Sequence, residues 1–160
     1  MLGFIIGFLV FLFGGIISFF SRQQKNNTIK EKYLDGGSQN KDINILGKKM
    51  KPCCLKGKIT GFYRDGYCST GPTDYGTHVV CAIVDNNFLE FTKSRGNDLM
   101  TPHPPSFPGL VTGDKWCLCA LRWLEAHKAG KAPKIVAEST NIHALDYISK
   151  EILIKYAIDV

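Results

Sequence analysis

Leu2 to Phe20 runs for nineteen residues without a charge, LGFIIGFLVFLFGGIISFF, and no other stretch limits the fold of this chain so tightly. Nineteen helical residues rise about 28 Å at roughly 1.5 Å each, close to the ~30 Å of a hydrocarbon core. Fourteen of them are Leu, Ile, Phe or Val. Each contributes roughly −0.3 to −0.6 kcal/mol to insertion at mid-membrane. A spanning helix is therefore expected rather than a helix buried in a soluble core. No Lys or Arg precedes the run. The run also exceeds the ~7–15 residues of a signal-peptide core, and no small-x-small cleavage site follows. The segment reads as a retained anchor. Arg22, Lys25, Lys30 and Lys32 follow it directly, so the positive-inside rule predicts a single-pass protein with its C-terminal part in the cytoplasm. Gly3, Gly7, Gly14 and Ser18 fall near one helix face, which would let a second membrane helix approach closely.

Three regions follow from composition. Residues 1–20 form the transmembrane helix, 21–52 a basic flexible linker and 53–160 a soluble domain. The linker holds eight Lys/Arg against three Asp/Glu, while residues 53–160 hold twelve against eleven. Almost all of the net charge of +6 is thus juxtamembrane, where anionic lipid headgroups are the natural partner. The folded part lacks the basic excess that nucleic-acid binding requires. It carries all six cysteines, Cys53, Cys54, Cys68, Cys81, Cys117 and Cys119. In a cytoplasmic domain these are expected as free thiols or metal ligands.

Along the domain, Gly61 to Gly76 is dense in turn formers around Phe62 and Tyr63 and reads as an ordered loop. HVVCAIV at 78–84 reads as a buried strand. NNFLEFTKSRG reads as a short helix capped by Asn86 or Asn87 and closed at Gly96. Four prolines in 101–109 predict extended backbone. Asp114 can cap a helix through KWCLCALRWLEAHKAG, ending at Gly130. A strand over Trp116 to Ala120 followed by a shorter helix is the alternative. Lys134 to Glu138 reads as a strand, and Ser149 caps a final helix with Ile152, Leu153 and Tyr156 inward. The alternation predicts a small single α+β domain with short strands and about three helices.

Five words occur in one order: GFYRDG at 61–66, GPTDYGTHVVCA at 71–82, FLEFTKSRGNDL at 88–99, FPGL at 107–110 and GDKWCLCALRW at 113–123. Together they resemble a family of small, mostly bacterial proteins catalogued as domain of unknown function 2237, over roughly Ile43 to Asp159. The resemblance implies a compact cytosolic domain and no established activity. This chain departs from the family pattern in carrying Tyr67 beside Cys68, where a second Cys is frequent, and in its leading apolar segment.

Three chemistries compete for the site. The first is small-ligand or protein binding at a membrane surface, with Asp74, Asp98, Asp114 and Arg122 as polar contacts in Gly-containing words. The second is a thiol enzyme, with Cys68 as nucleophile in the Gly-rich turn, His78 as base, and Arg64 and Asp65 beside them. The third is a soft-metal site, zinc above all, drawing on Cys68, Cys117 and Cys119, with Cys53, Cys54, His78, Cys81 and His103 as further candidates. Cys117 and Cys119 share a face only if their segment is a strand. On a regular strand the odd spacing of His78 and Cys81 sends them to opposite faces.

Overall fold

The computed structural model describes residues 42–160. The expected anchor, its Gly3–Gly7–Gly14 face and the linker up to residue 41 lie outside the described residues. Among those described, no helix is long and apolar enough to cross a membrane.

The domain is α+β, with a three-stranded antiparallel sheet and three α-helices. Strand β1 (His78–Ile83) is central, flanked by β2 (Lys115–Cys119) and β3 (Lys134–Ile135). Helix α1 (Asn86–Ser94) follows β1, α2 (Ala120–Lys128) follows β2, and α3 (Lys150–Tyr156) closes the chain. Two 3-10 turns, Ala137–Ser139 and Ile142–Asp146, join β3 to α3.

The central strand is buried on both faces, which is why His78 to Val84 is apolar without alternation. On one face Val80 and Ala82 join Leu118, Phe88, Trp123 and Leu153 in the main core. Trp123 anchors it. Its ring is fully buried, its Nε1 donates to the Pro133 carbonyl at 3.2 Å, and Tyr156 packs edge-on at 5.1 Å. On the other face lies a smaller cluster of Cys53, Cys68, Cys81 and Cys117.

Several sequence expectations change in detail. The segment Trp116 to Ala120 is the strand alternative, not the first turns of a long helix. Pairing with β1 gives its alternating side chains two different interiors, so an apolar-all-round run needs no helix. Asp114 therefore caps no helix; its carboxylate accepts from Val111 N at 2.8 Å and from Lys58 Nζ at 2.6 Å. Asp85, rather than Asn86 or Asn87, caps α1 by accepting from Phe88 N at 2.8 Å. Ser149 caps α3 as expected, and Leu153 is buried. The 134–138 strand stops at Ile135, where the chain turns into the first 3-10 segment. The proline-rich segment folds back on itself, with His103 and Phe107 bridged.

Residues 43–52 pack on the domain. Asn44 pairs with Asn141, Ile45 is 1% exposed, and Ile45 N donates to Thr140 O at 3.0 Å. The Asn44 side chain closes this loop, its Oδ1 accepting from Leu46 N and Lys48 N.

Candidate functional site

The sulfur face is built by the strand pair and the loop that covers it. Cys81 and Cys117 are cross-strand partners on β1 and β2. They do not bond to each other. Cys81 bonds to Cys53, with Cα atoms 5.7 Å apart, and Cys117 bonds to Cys68, 5.3 Å apart. Two parallel bridges thus staple the loop that holds Cys53 and Cys68 onto the sheet. Thr60 adds a bond from inside that loop, its Oγ1 accepting from Cys117 N at 2.8 Å.

The free-thiol expectation is corrected for four of the six cysteines. Cys68, expected as an accessible nucleophile, is fully buried and disulfide-bonded. Cys54 and Cys119 are free and partly exposed. The expected ligand trio Cys68, Cys117 and Cys119 is corrected too. The sulfurs of Cys53, Cys68 and Cys81 lie within 4.8 Å of one another, and Cys117 is bonded to Cys68. Cys119 is not among them.

The face argument for His78 also changes. A register shift between His78 and Val80 inserts one extra residue in β1. It places His78 directly opposite Cys119, while Cys81 stays opposite Cys117. Cross-strand partners share a face, so His78, Cys81, Cys117 and Cys119 all belong to the sulfur face. A bulge re-aims a side chain in this way by breaking the two-residue alternation.

His78 is held on several sides. Its Nδ1 meets Asp74 Oδ1 at 2.6 Å, and its backbone N donates to Asp74 Oδ2 at 2.8 Å. In the neutral imidazole, an Nδ1 that donates to the carboxylate leaves the lone pair on Nε2. The Asp74 side chain is fully shielded from solvent while the His78 side chain is 39% exposed. Burial alone would raise the Asp74 pKa. The His78 backbone N–H, the His78 ring and the Thr70 hydroxyl outweigh it and hold the carboxyl below its ordinary value. The Phe62 ring stacks over the imidazole at 6.2 Å. Gly76 leaves room for the ring, since a Cβ there would sit 2.4 Å from the His78 Cε1. Thr77, just before His78, has a φ of 49°, a costly conformation for a β-branched residue. Its carbonyl accepts from Ala120 N at 3.1 Å, tying the turn before His78 to the residue after Cys119.

Cys119 ends β2 and occupies the N-cap position of α2, with no side-chain capping bond. It therefore stands where strand turns directly into helix. The first-turn N–H groups of such a helix have no intrahelical partner.

The remaining expected residues serve elsewhere. Arg64 has a φ of 55°, and its guanidinium lies 4.8 Å from the Trp116 ring centroid. Asp65 Oδ1 accepts from Tyr67 N at 2.9 Å and ties the turn. Asp98 closes the 98–101 turn through Met100 N, Thr101 N and the Thr101 hydroxyl. Arg122 pairs with Glu125 at 3.0 Å and with the Arg95 carbonyl. Of the four polar candidates, Asp74 alone contacts His78. Cys119 was legible only as a metal candidate, because its pairing with His78 depends on a bulge that no local pattern reveals.

These features define a small disulfide-stapled α+β domain in which His78, held by the buried Asp74 carboxylate, stands in register with a free cysteine, Cys119. The chain belongs to the family described as "Uncharacterized protein conserved in bacteria (DUF2237)", whose model matches residues 43–157. No curated protein matches the chain.

Proposed function

We propose that this domain is a thiol-dependent enzyme in which Cys119, rather than Cys68, is the nucleophile. His78 takes the thiol proton on Nε2, and Asp74 fixes the imidazole in the tautomer that leaves Nε2 free. The register that sets Cys119 opposite His78, with Asp74 2.6 Å behind the ring, is the observation that carries this reading. A nucleophile, a base and a group orienting the base are the arrangement that activates a weak side-chain nucleophile.

The matching reaction class is acyl transfer. Cys119 Sγ adds to a carbonyl carbon, and the first-turn N–H groups of α2 at Leu121 and Arg122 receive the developing oxyanion. The leaving group departs with the proton from His78. Water, deprotonated by His78, then cleaves the thioester and restores the thiol. Exposed Phe62, Tyr63, Tyr75 and Tyr147 supply apolar surface for a substrate. Three of them are tied to the site: Phe62 by its stacking on His78, Tyr63 by its edge contact with Phe62, and Tyr147 by its hydroxyl on Thr77 Oγ1. The leading apolar run and the basic segment after it would hold this chemistry at an anionic membrane surface.

The test is site-resolved labelling of the full chain in detergent micelles with a chloroacetamide, read by peptide mass spectrometry. Cys119 is expected to react about 10²-fold faster than Cys54, the lower range of general-base assistance. His78→Ala and Asp74→Asn should each slow Cys119 and leave Cys54 unchanged. Equal rates at Cys54 and Cys119, indifferent to His78, would sink the proposal.

A further inference from the structure

The four sulfurs beneath His78 hold a second chemistry that the thiol mechanism does not use. Cys53, Cys68, Cys81 and Cys117 are each at most 4% exposed. Three of their sulfurs lie mutually within 4.8 Å, and the fourth is bonded to one of those three. In a tetrahedral zinc thiolate, Zn–S bonds of about 2.3 Å place the sulfurs about 3.8 Å apart. Parting the two S–S bonds leaves the four sulfurs in one buried cluster, three of them already within about an ångström of that spacing or closer. Cys53 and Cys68 reach it from the stapled loop, Cys81 from β1 and Cys117 from β2. In the reduced domain these positions become four thiols sealed from water on the sheet. A soft divalent cation is what such a cage takes.

We propose that the four-cysteine cluster is a redox-exchangeable zinc site. Under oxidising conditions it is the pair of disulfides Cys53–Cys81 and Cys68–Cys117. Under reducing conditions it is a zinc tetrathiolate. The interconversion balances. A dithiol or phosphine reductant delivers four electrons, two to each S–S bond, and four thiols form. Zinc then displaces their four protons. In reverse, a disulfide oxidant removes four electrons and releases the ion. The same three chain segments are cross-linked in both states, so the fold of the sulfur face persists through the exchange. The exchange also reconciles two opposed signals. The cations after residue 20 point to a reducing compartment, whereas disulfides belong to an oxidising one.

The experiment uses the full chain in detergent micelles. It is reduced anaerobically with a phosphine, loaded with zinc or cobalt(II) alone, and passed over a desalting column with a weak chelator. The expected result is one zinc per chain, and for cobalt the visible bands of a tetrahedral site with thiolate charge transfer. Cys54→Ser and Cys119→Ser should retain the ion, whereas Cys53→Ser and Cys117→Ser should lose it. A readout on the unmutated chain guards against misfolded variants. Adding a disulfide oxidant should release one zinc while the titratable thiols fall from the six of the sequence to the two free ones, Cys54 and Cys119. A reduced chain that holds no stoichiometric zinc overturns the proposal. So does zinc binding lost with Cys119→Ser, or zinc still bound when the thiol count has fallen to two.

Discussion

At the scale of single residues, Asp98 shows how a turn keeps a carboxylate ionised. An Asp at the head of a turn accepts from N–H groups two and three residues on, and here it accepts from Met100 N and Thr101 N at 2.8 and 3.0 Å. Those bonds, with the Thr101 hydroxyl and Lys93 adding to them, hold its pKa far below the ordinary 3.8. A depressed folded-state value means that Asp98 stabilises the fold fully above its unfolded pKa near 4. That contribution disappears as pH falls toward the lower folded value. The stability difference between the unmutated chain and Asp98→Asn, followed by urea titration, should therefore be largest near neutrality and shrink below about pH 4. A difference constant from pH 7 to pH 3 would contradict the assignment. His78 shows what local pattern does not give: the sequence offers it as a base for Cys68 in the Gly-rich turn, whereas one inserted residue in β1 sets its Cα opposite Cys119.

At the scale of elements, the starts of α1 and α3 were legible within a residue or two, because capping is local; the start of α2 was not, since it lies at Ala120 and not after Asp114. Ser149 begins α3 as its hydroxyl dictates. At α1 the cap moved from Asn86 to Asp85, which takes the extended backbone that a cap needs. Replacing Asp85 with Ala should cost about 1 kcal/mol, measured as a lower urea midpoint with an unchanged slope. An effect below about 0.3 kcal/mol would show that burial of Phe88 and Leu89 fixes this helix unaided. The run Trp116 to Trp123 was ambiguous for a definite reason. A strand buried on both faces and a helix buried all round are both unbroken apolar strings. Only the neighbour decides, and here β1 lies alongside Lys115 to Cys119.

For the whole molecule, the disulfide pairing sets the architecture of the sulfur face. The two bridges close sequence separations of 28 and 49 residues. In the chain-entropy account, loops of those lengths raise stability by about 3.6 and 4.1 kcal/mol at 25 °C when each acts alone. The loops overlap, so their joint effect is smaller than the sum. The double variant Cys53→Ala/Cys81→Ala should lose about 2–4 kcal/mol, seen in oxidising buffer by guanidinium unfolding. The same substitutions tested under full reduction without metal should cost far less, since the unmutated chain then has no bridge to lose. Equal losses in both buffers would assign the effect to packing of the two side chains.

What could be known before folding rests on interactions within a few residues: an uncharged run long enough to span a bilayer, a basic segment after it, the turn words, the caps and the α+β class. These follow from chain chemistry at short range, where the partner is always a near neighbour in sequence. The folded state alone settled which sulfurs meet, that Trp116 to Cys119 is a strand, that residues 43–52 belong to the domain, and that His78 stands in register with Cys119. Each depends on register between segments tens of residues apart, and a single bulge changes that register without leaving a local trace.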